Sequence, residues 1–204
     1  MPASFEVLKA KICKKEPPKK IKVLDCVSGR FPPASFTVLM GASGAGKTTL
    51  LNFISQRNVW LEGLECTGDI IINGRSYKDM DYKQYTSYVM QDDVILETMT
   101  VREAFEFAGQ LMFGQPTWKH HVERIPVILE IAHTLNSLIG SATSRGISGG
   151  ERKRVAIGME LLNNPKIIFA DEPTTGLDSL ASERIVRLFS TATRLGRTII
   201  ATLH

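Results

Sequence analysis

A chain of 204 residues with 43% hydrophobic and 23% charged side chains is long and apolar enough for one folded domain with a real core. Its net charge of +4 is modest, and the excess sits in Lys9, Lys11, Lys14, Lys15, Lys19, Lys20 and Lys22, a run that reads as a solvated basic loop, so no nucleic-acid partner is expected. No stretch approaches the ~18 apolar residues of a membrane helix, and the polypeptide is not expected to cross a bilayer by itself. Cys13, Cys26 and Cys66 are odd in number and lack metal-ligand spacing. With no apolar leader after Met1, they read as reduced thiols in a cytosolic compartment.

Pro17-Pro18 and Pro32-Pro33 break the opening into short strands joined by turns. Phe36 to Met40 is an apolar strand that runs into Gly41-Ala42-Ser43-Gly44-Ala45-Gly46-Lys47-Thr48, a complete G-x-x-x-x-G-K-[ST] phosphate loop, and Thr48 to Ser55 reads as helix. Glycines let backbone N–H groups converge on phosphate oxygens, and the helix adds its positive end. Lys47 then reaches the β- and γ-phosphates, the Thr48 hydroxyl ligates Mg²⁺, and Ser43 and Thr49 are secondary phosphate contacts. Ile70 to Gly74 is a short strand closed by an Asn-Gly turn. Gln91 follows the strand around Ser87-Tyr88-Val89, where an amide can ligate Mg²⁺ or orient water.

Helical signals dominate from Thr100 to about Ser141, opened by a Thr100–Glu103 capping box. Within it, Val127, Ile128, Ile131 and Leu135 predict a helix over Val127–Leu138. A further helix spans about Glu151 to Leu162, Asn164-Pro165 stops it, and the buried strand Ile167–Ala170 delivers Asp171 and Glu172 to the rim where the phosphate loop opens. Asp171 would hold Mg²⁺, through water, and Glu172 would polarise an attacking water as general base. Thr198 to Leu203 is a last strand, ending on His204. Alternating strands and helices of this kind give an α/β domain with a mostly parallel sheet.

Ser148-Gly149-Gly150 makes a second phosphate-type nest at a helix start. Arg152, Lys153 and Arg154 beside it read as a solvated or partner-facing cluster without assigned chemistry, and His120, His121 and His133 as surface or local packing.

The order of phosphate loop, Ile147-Ser-Gly-Gly-Glu-Arg-Lys-Arg154 and Ile167-Ile-Phe-Ala-Asp-Glu-Pro-Thr-Thr-Gly-Leu-Asp178 resembles the ATP-binding cassette (ABC) ATPases, and the wording of the signature resembles their G-type subfamily. The resemblance covers about Lys22 to His204. It implies a P-loop NTPase fold of ABC type with a mostly parallel core sheet, a small antiparallel β subdomain and an inserted α-helical subdomain. It also implies one domain over 1–204, parsed as 1–35 (β-subdomain strands and basic segment), 36–91 (phosphate loop to Q-loop), 92–146 (helical subdomain) and 147–204 (signature, Walker B, D-loop and switch histidine). By the same resemblance Gln91 is the Q-loop residue, Asp178 belongs to the nucleotide-contacting D-loop, and His204 contacts the γ-phosphate. Ser148, Gly149 and Gly150 bind the ATP held by a facing cassette in a head-to-tail pair.

Two departures stand out. No aromatic residue lies between Phe5 and Phe31 to stack on adenine, and the sequence stops at the switch histidine, which reads as a truncated half-transporter whose membrane domain is elsewhere. The implied function is ATP hydrolysis, with Mg²⁺, at the cytosolic face of a membrane, powering export of a lipophilic substrate. A non-hydrolysing nucleotide-binding remnant and a soluble ABC-class ATPase are the alternatives.

Overall fold

Four apolar runs that lie far apart in the sequence pair side by side into one parallel sheet: β1 (Phe36–Met40), β4 (Thr86–Val89), β5 (Ile167–Ala170) and β6 (Thr198–Leu203), in the spatial order β1-β6-β5-β4. The computed structural model describes residues 22–57, 66–113, 118–141 and 144–203. The register sets Met40 beside Leu203, and Ala170 beside both Ala201 and Val89. All four chains therefore leave the sheet along one edge, the edge at which open parallel sheets hold their ligands.

Strand alternation splits the sheet's apolar residues between two cores. Ile168, Ala170, Ile199 and Ala201 pack with Ile157 of α5 (Gly149–Leu161) and with Ile185 and Phe189 of α6 (Ser179–Arg194). Phe169 and Ile200 point to the other face, against Leu51 of α1 (Lys47–Ile54) and Tyr82 of the short α2 (Tyr82–Tyr85). A third core builds the inserted lobe: Phe105 and its neighbours in α3 (Val101–Phe113) pack on Val122 of α4 (Trp118–Ile128), and on Leu129, Ile131, Ile139 and Val155. Helix α5 thus serves the lobe with Val155 and the sheet with Ile157, and it joins the two bodies.

The small antiparallel sheet is a hairpin of β2 (Ile71–Ile72) and β3 (Arg75–Ser76). Asn73 and Gly74 both adopt positive φ, 49° and 80°, the pair of left-handed residues that a tight type I′ hairpin demands. The fold is therefore the expected mixed α/β arrangement, with parallel core, antiparallel hairpin and helical lobe. Three local features differ from the sequence reading. Residues 22–35 hold no strand. The helix predicted over Val127–Leu138 is interrupted: α4 ends at Ile128, Glu130 takes φ 56°, and only a single 3-10 turn, Ala132–Thr134, follows. The apolar spacing there comes from a turn that sends Leu129 and Ile131 inward while Val127 and Leu138 stay exposed. Helix α6 is the third difference, a segment that motif reading passes over, although Ile185, Phe189 and Ala192 carry helical spacing.

Candidate functional site

The loop from Gly41 to Gly46 turns from β1 into α1, and two of its glycines are required by backbone shape. Gly44 and Gly46 sit at φ 77° and 87°, where a side chain is strained. A Cβ on Gly46 would also stand 3.2 Å from the Leu24 side chain and 3.7 Å from the Val23 carbonyl, so segment 23–24 lies directly against the loop. Lys47 folds back over this loop, its ammonium donating to the carbonyls of Gly41 at 2.6 Å and Ala42 at 3.1 Å. These are ordinary solvent-edge hydrogen bonds that a phosphate oxygen can replace at little cost. Ala42, Ser43 and Ala45 are exposed along the same turn, and Thr49 is half-buried in the first turn of α1.

Next to this loop a carboxylate is held by three hydroxyls. Asp171, almost wholly buried, accepts from Thr48 at 3.0 Å and Thr202 at 2.7 Å on one oxygen, and from the Tyr88 phenol at 3.3 Å on the other. Thr202, fully buried in β6, also accepts the backbone N–H of Glu172 at 2.8 Å. Burial, reinforced by the adjacent Asp171 charge, pushes the Tyr88 hydroxyl well above the usual phenol range, so it remains a donor. The Arg57 guanidinium stacks 4.8 Å from the centre of the Tyr88 ring. Neither Tyr88 nor Thr202 stands out in the sequence, since a hydroxyl on a strand carries no motif.

Glu172 follows at φ 43°, a left-handed conformation for a side chain that gains nothing from it. Strain of this kind costs about 1–3 kcal/mol and persists where surrounding contacts enforce it. The Thr202 hydroxyl grips its N–H, and the Thr175 hydroxyl donates to its carboxylate at 3.0 Å. The turn thereby aims two consecutive carboxylates at different partners, Asp171 toward Thr48 and Glu172 toward Thr175.

On α5, Ser148 is the N-cap of a full capping box. Its hydroxyl accepts the Glu151 N–H at 3.3 Å, while the Glu151 carboxylate accepts the Ser148 N–H and hydroxyl at 2.8 and 2.7 Å. Gly149 and Gly150 form the first turn, and Gly150 has no room for a methyl group: a Cβ would stand 2.8 Å from that of Ala181 in α6. His133 lies 3.0 Å from Glu151. Asp178, expected from the D-loop resemblance to contact nucleotide, caps α6 by accepting the Ala181 N–H at 2.8 Å. Gln91 leaves β4 with its side chain exposed, and its carbonyl accepts from Lys153 at 2.7 Å. His204 and Cys13 lie outside the described residues; Cys26 and Cys66 are exposed free thiols.

The basic cluster departs from its solvated reading: Lys153 and Arg154 are 3% and 5% exposed. Arg152 donates to the Gly140 carbonyl at 2.6 Å.

The profile of the ABC transporter family matches residues 24–175, from the segment against the phosphate loop to the residue that holds Glu172. The chain belongs to the ABC transporter family. Among its relatives, it is 40% identical over 188 residues to "ABC multidrug transporter SNQ2" of Candida glabrata, a match covering 90% of this chain and 12% of that protein. It is 39% identical over 193 residues to "ABC transporter G family member 21" of Arabidopsis thaliana, covering 93% of this chain and 28% of the relative. Over 187 residues it is 37% identical to "Broad substrate specificity ATP-binding cassette transporter ABCG2" of Rattus norvegicus, again 90% of this chain and 28% of the relative. The chain spans well under a third of these curated relatives, so it corresponds to their ATP-binding domain and resembles the G-type branch. Among the described residues no helix is long and apolar enough to cross a membrane.

The donor chemistry beside the phosphate loop fits the cation expected with ATP. A threonine hydroxyl and a carboxylate oxygen are hard oxygen ligands of the kind Mg²⁺ takes one or two at a time, together with phosphate and water. Among the described residues no cluster of three or more His, Cys, Asp or Glu offers a cage for another metal.

Proposed function

We propose that this ABC domain binds Mg·ATP at the phosphate loop and hydrolyses it, and that paired domains of this kind power export of a lipophilic substrate through a membrane domain. The observation that carries the reading is the meeting of Gly41–Thr48, Asp171 and Glu172 at one edge of a parallel sheet, with Thr48 hydrogen-bonded to Asp171. Lys47 exchanges its two carbonyls for phosphate oxygens, and the loop's N–H groups and α1 hold the remaining negative charge. Ser43 and Thr49 donate at the margins of the same cradle. Thr48 and Asp171, with the Gln91 amide, would hold the Mg²⁺, which supplies charge neutralisation between phosphate oxygens when bound. Asp171 needs no reorganisation for this, because Thr202 and Tyr88 already fix it.

Glu172 takes the proton of the attacking water, with Thr175 and Thr202 holding it in place. Ser148, Gly149 and Gly150 are assigned to the phosphate of a second cassette's nucleotide in a head-to-tail pair, Asp178 to a nucleotide contact from the D-loop, and His204 to the γ-phosphate. That relatives such as ABCG2 are named as transporters supports a membrane partner; a place at the membrane's cytosolic face is part of the same proposal. Glu172→Gln is the decisive variant. Mg·ATP binding, followed by a fluorescent nucleotide analogue, is expected to stay within about twofold, while phosphate release falls by about a hundredfold or more. Parental turnover in the variant would move the base elsewhere, and absent turnover in the parental pair would leave a nucleotide-binding domain without hydrolysis.

A further inference from the structure

Lys153 is a lysine at 3% exposure, in the second turn of the helix that Ser148 caps. Burying an ammonium is costly unless each of its three N–H groups finds an acceptor. Here two carbonyls and one carboxylate surround it, and all three partners lie on the four residues that follow β4. The ammonium donates to the Met90 carbonyl at 3.1 Å and the Gln91 carbonyl at 2.7 Å. It also stands 2.7 Å from a carboxylate oxygen of Asp93, off the angle of a directed hydrogen bond, so this third contact is an ion pair. Asp93 is itself nearly buried, its side chain 11% exposed.

The loop has left the sheet at this point. The Val89 carbonyl goes to the Asp171 N–H, which ties β4 to the acidic turn. The next two carbonyls go to a side chain of α5. No apolar residue could serve two carbonyls and a carboxylate at once, and an arginine has a wider, planar fork. Lys153 lies only about 7 Å along the helix axis from Ser148. A single buried cation therefore fastens the backbone of Gln91 to the helix that carries the Ser148–Gly150 turn.

We propose that Lys153 is a positioning residue that holds the Gln91 loop in its productive place and makes Gln91 and the Ser148–Gly150 turn move as one unit. The catalytic part rests on the nucleotide reading above; the tether itself does not. Lys153→Met alone would strand the Asp93 carboxylate, so the informative variant is Lys153→Met with Asp93→Asn, which removes the cation and the anion together. Lys153→Arg is the conservative companion. Hydrogen exchange on the full chain reads the tether first. Amides of residues 90–95 should exchange about ten- to a hundredfold faster in the double variant, the loss of charge-assisted bonds expressed as local opening. Amides of β5 and α3 should keep their rates. Unchanged exchange at 90–95, or the same acceleration throughout the chain, overturns the tether.

Steady-state hydrolysis with an Mg²⁺ titration then reads the positioning. The double variant should retain ATP affinity, lose about tenfold in kcat and need more Mg²⁺, with Lys153→Arg recovering part of the loss. A loosened loop with parental kcat and Mg²⁺ dependence overturns the positioning role. If the parental pair itself does not hydrolyse ATP, the proposed function fails, while hydrogen exchange still decides the tether.

Discussion

Asp171 and Ser148 both stand where a regular element meets a turn, and both are assigned to phosphate chemistry, yet they are held in opposite ways. Asp171 leaves a central strand and is fixed by hydroxyls from three other elements: Thr48 of α1, Tyr88 of β4 and Thr202 of β6. Its position is a property of the whole sheet. Ser148 is fixed by its own helix, through the reciprocal bonds with Glu151. Its place relative to the sheet depends on how α5 is seated, which rests on Lys153, on Gly158 and on the contact of Gly150 with Ala181. One half of the site is rigid by construction. The other is a rigid turn whose place follows the seating of α5.

Separating the two halves between different chains gives the largest expected effect. Lys47→Ala in one chain and Ser148→Arg in another should each reduce turnover by at least about tenfold, since both groups act on phosphate charge. In a head-to-tail pair, mixing the two variants produces one site with both lesions and one with neither, so part of the activity should return. Phosphate release by the mixture, in a preparation shown to pair by sedimentation, checks this. No recovery would mean that both halves act within one chain.

Reseating α5 comes next. At Gly158 a Cβ would stand 2.5 Å from Leu129 and 2.7 Å from the Phe105 ring. Gly158→Val should therefore cost about 3 kcal/mol by overpacking, read as a drop in the urea midpoint. The phosphate-loop half has no share in that contact, so loss of nucleotide binding at temperatures where the variant is still folded would count against the division into halves.

Within the fixed half, Thr202→Val removes a hydroxyl that serves both Asp171 and the Glu172 N–H. It should cost about 2 kcal/mol in stability and lower kcat. Tyr88→Phe loses only the longest of the three bonds, 3.3 Å, and should cost about 1 kcal/mol or less. Equal effects of the two, in denaturation and in Mg²⁺ titration, would contradict a carboxylate anchored chiefly by β6.

The same division governs what could be read from the sequence. The phosphate loop and the Asp171-Glu172 strand were legible because backbone geometry and adjacent acids leave contiguous patterns. Thr202 and Tyr88 were not, because each meets Asp171 only once separate strands have paired. Lys153 departs from the solvated or partner-facing reading for a physical reason. Three successive cations, Arg152 to Arg154, look alike in sequence, and the carbonyls that receive the buried Lys153 lie some sixty positions upstream. The capping box at Thr100 and Glu103 was legible, and its bonds form. The Val127–Leu138 helix misled because a turn can place apolar residues at helical intervals while Glu130 reverses the chain.

The smallest expected effect concerns pH. Burial raises the pKa of Glu151, but its bonds from Ser148 and the nearby His133 outweigh this and hold it below the usual carboxylate range. A carboxylate with a depressed folded-state pKa binds fewer protons folded than unfolded. Its contribution to stability is therefore complete above the unfolded value, about 4.3, and is lost as pH falls through the lower folded value. The Glu151 side chain is 19% exposed and its main partner is the cap, which sets the magnitude: about 0.5–1 kcal/mol. Glu151→Gln keeps the length and an acceptor oxygen but cannot titrate. Urea midpoints of the parental chain and of this variant should differ at pH 6, and the difference should shrink as pH falls below about 4.3. All other carboxylates titrate equally in both, so the difference isolates the Glu151 charge, shared between the cap and His133. Parallel pH profiles would show that the charge of Glu151 does nothing for Ser148, and that the turn is held by α6 and the lobe instead.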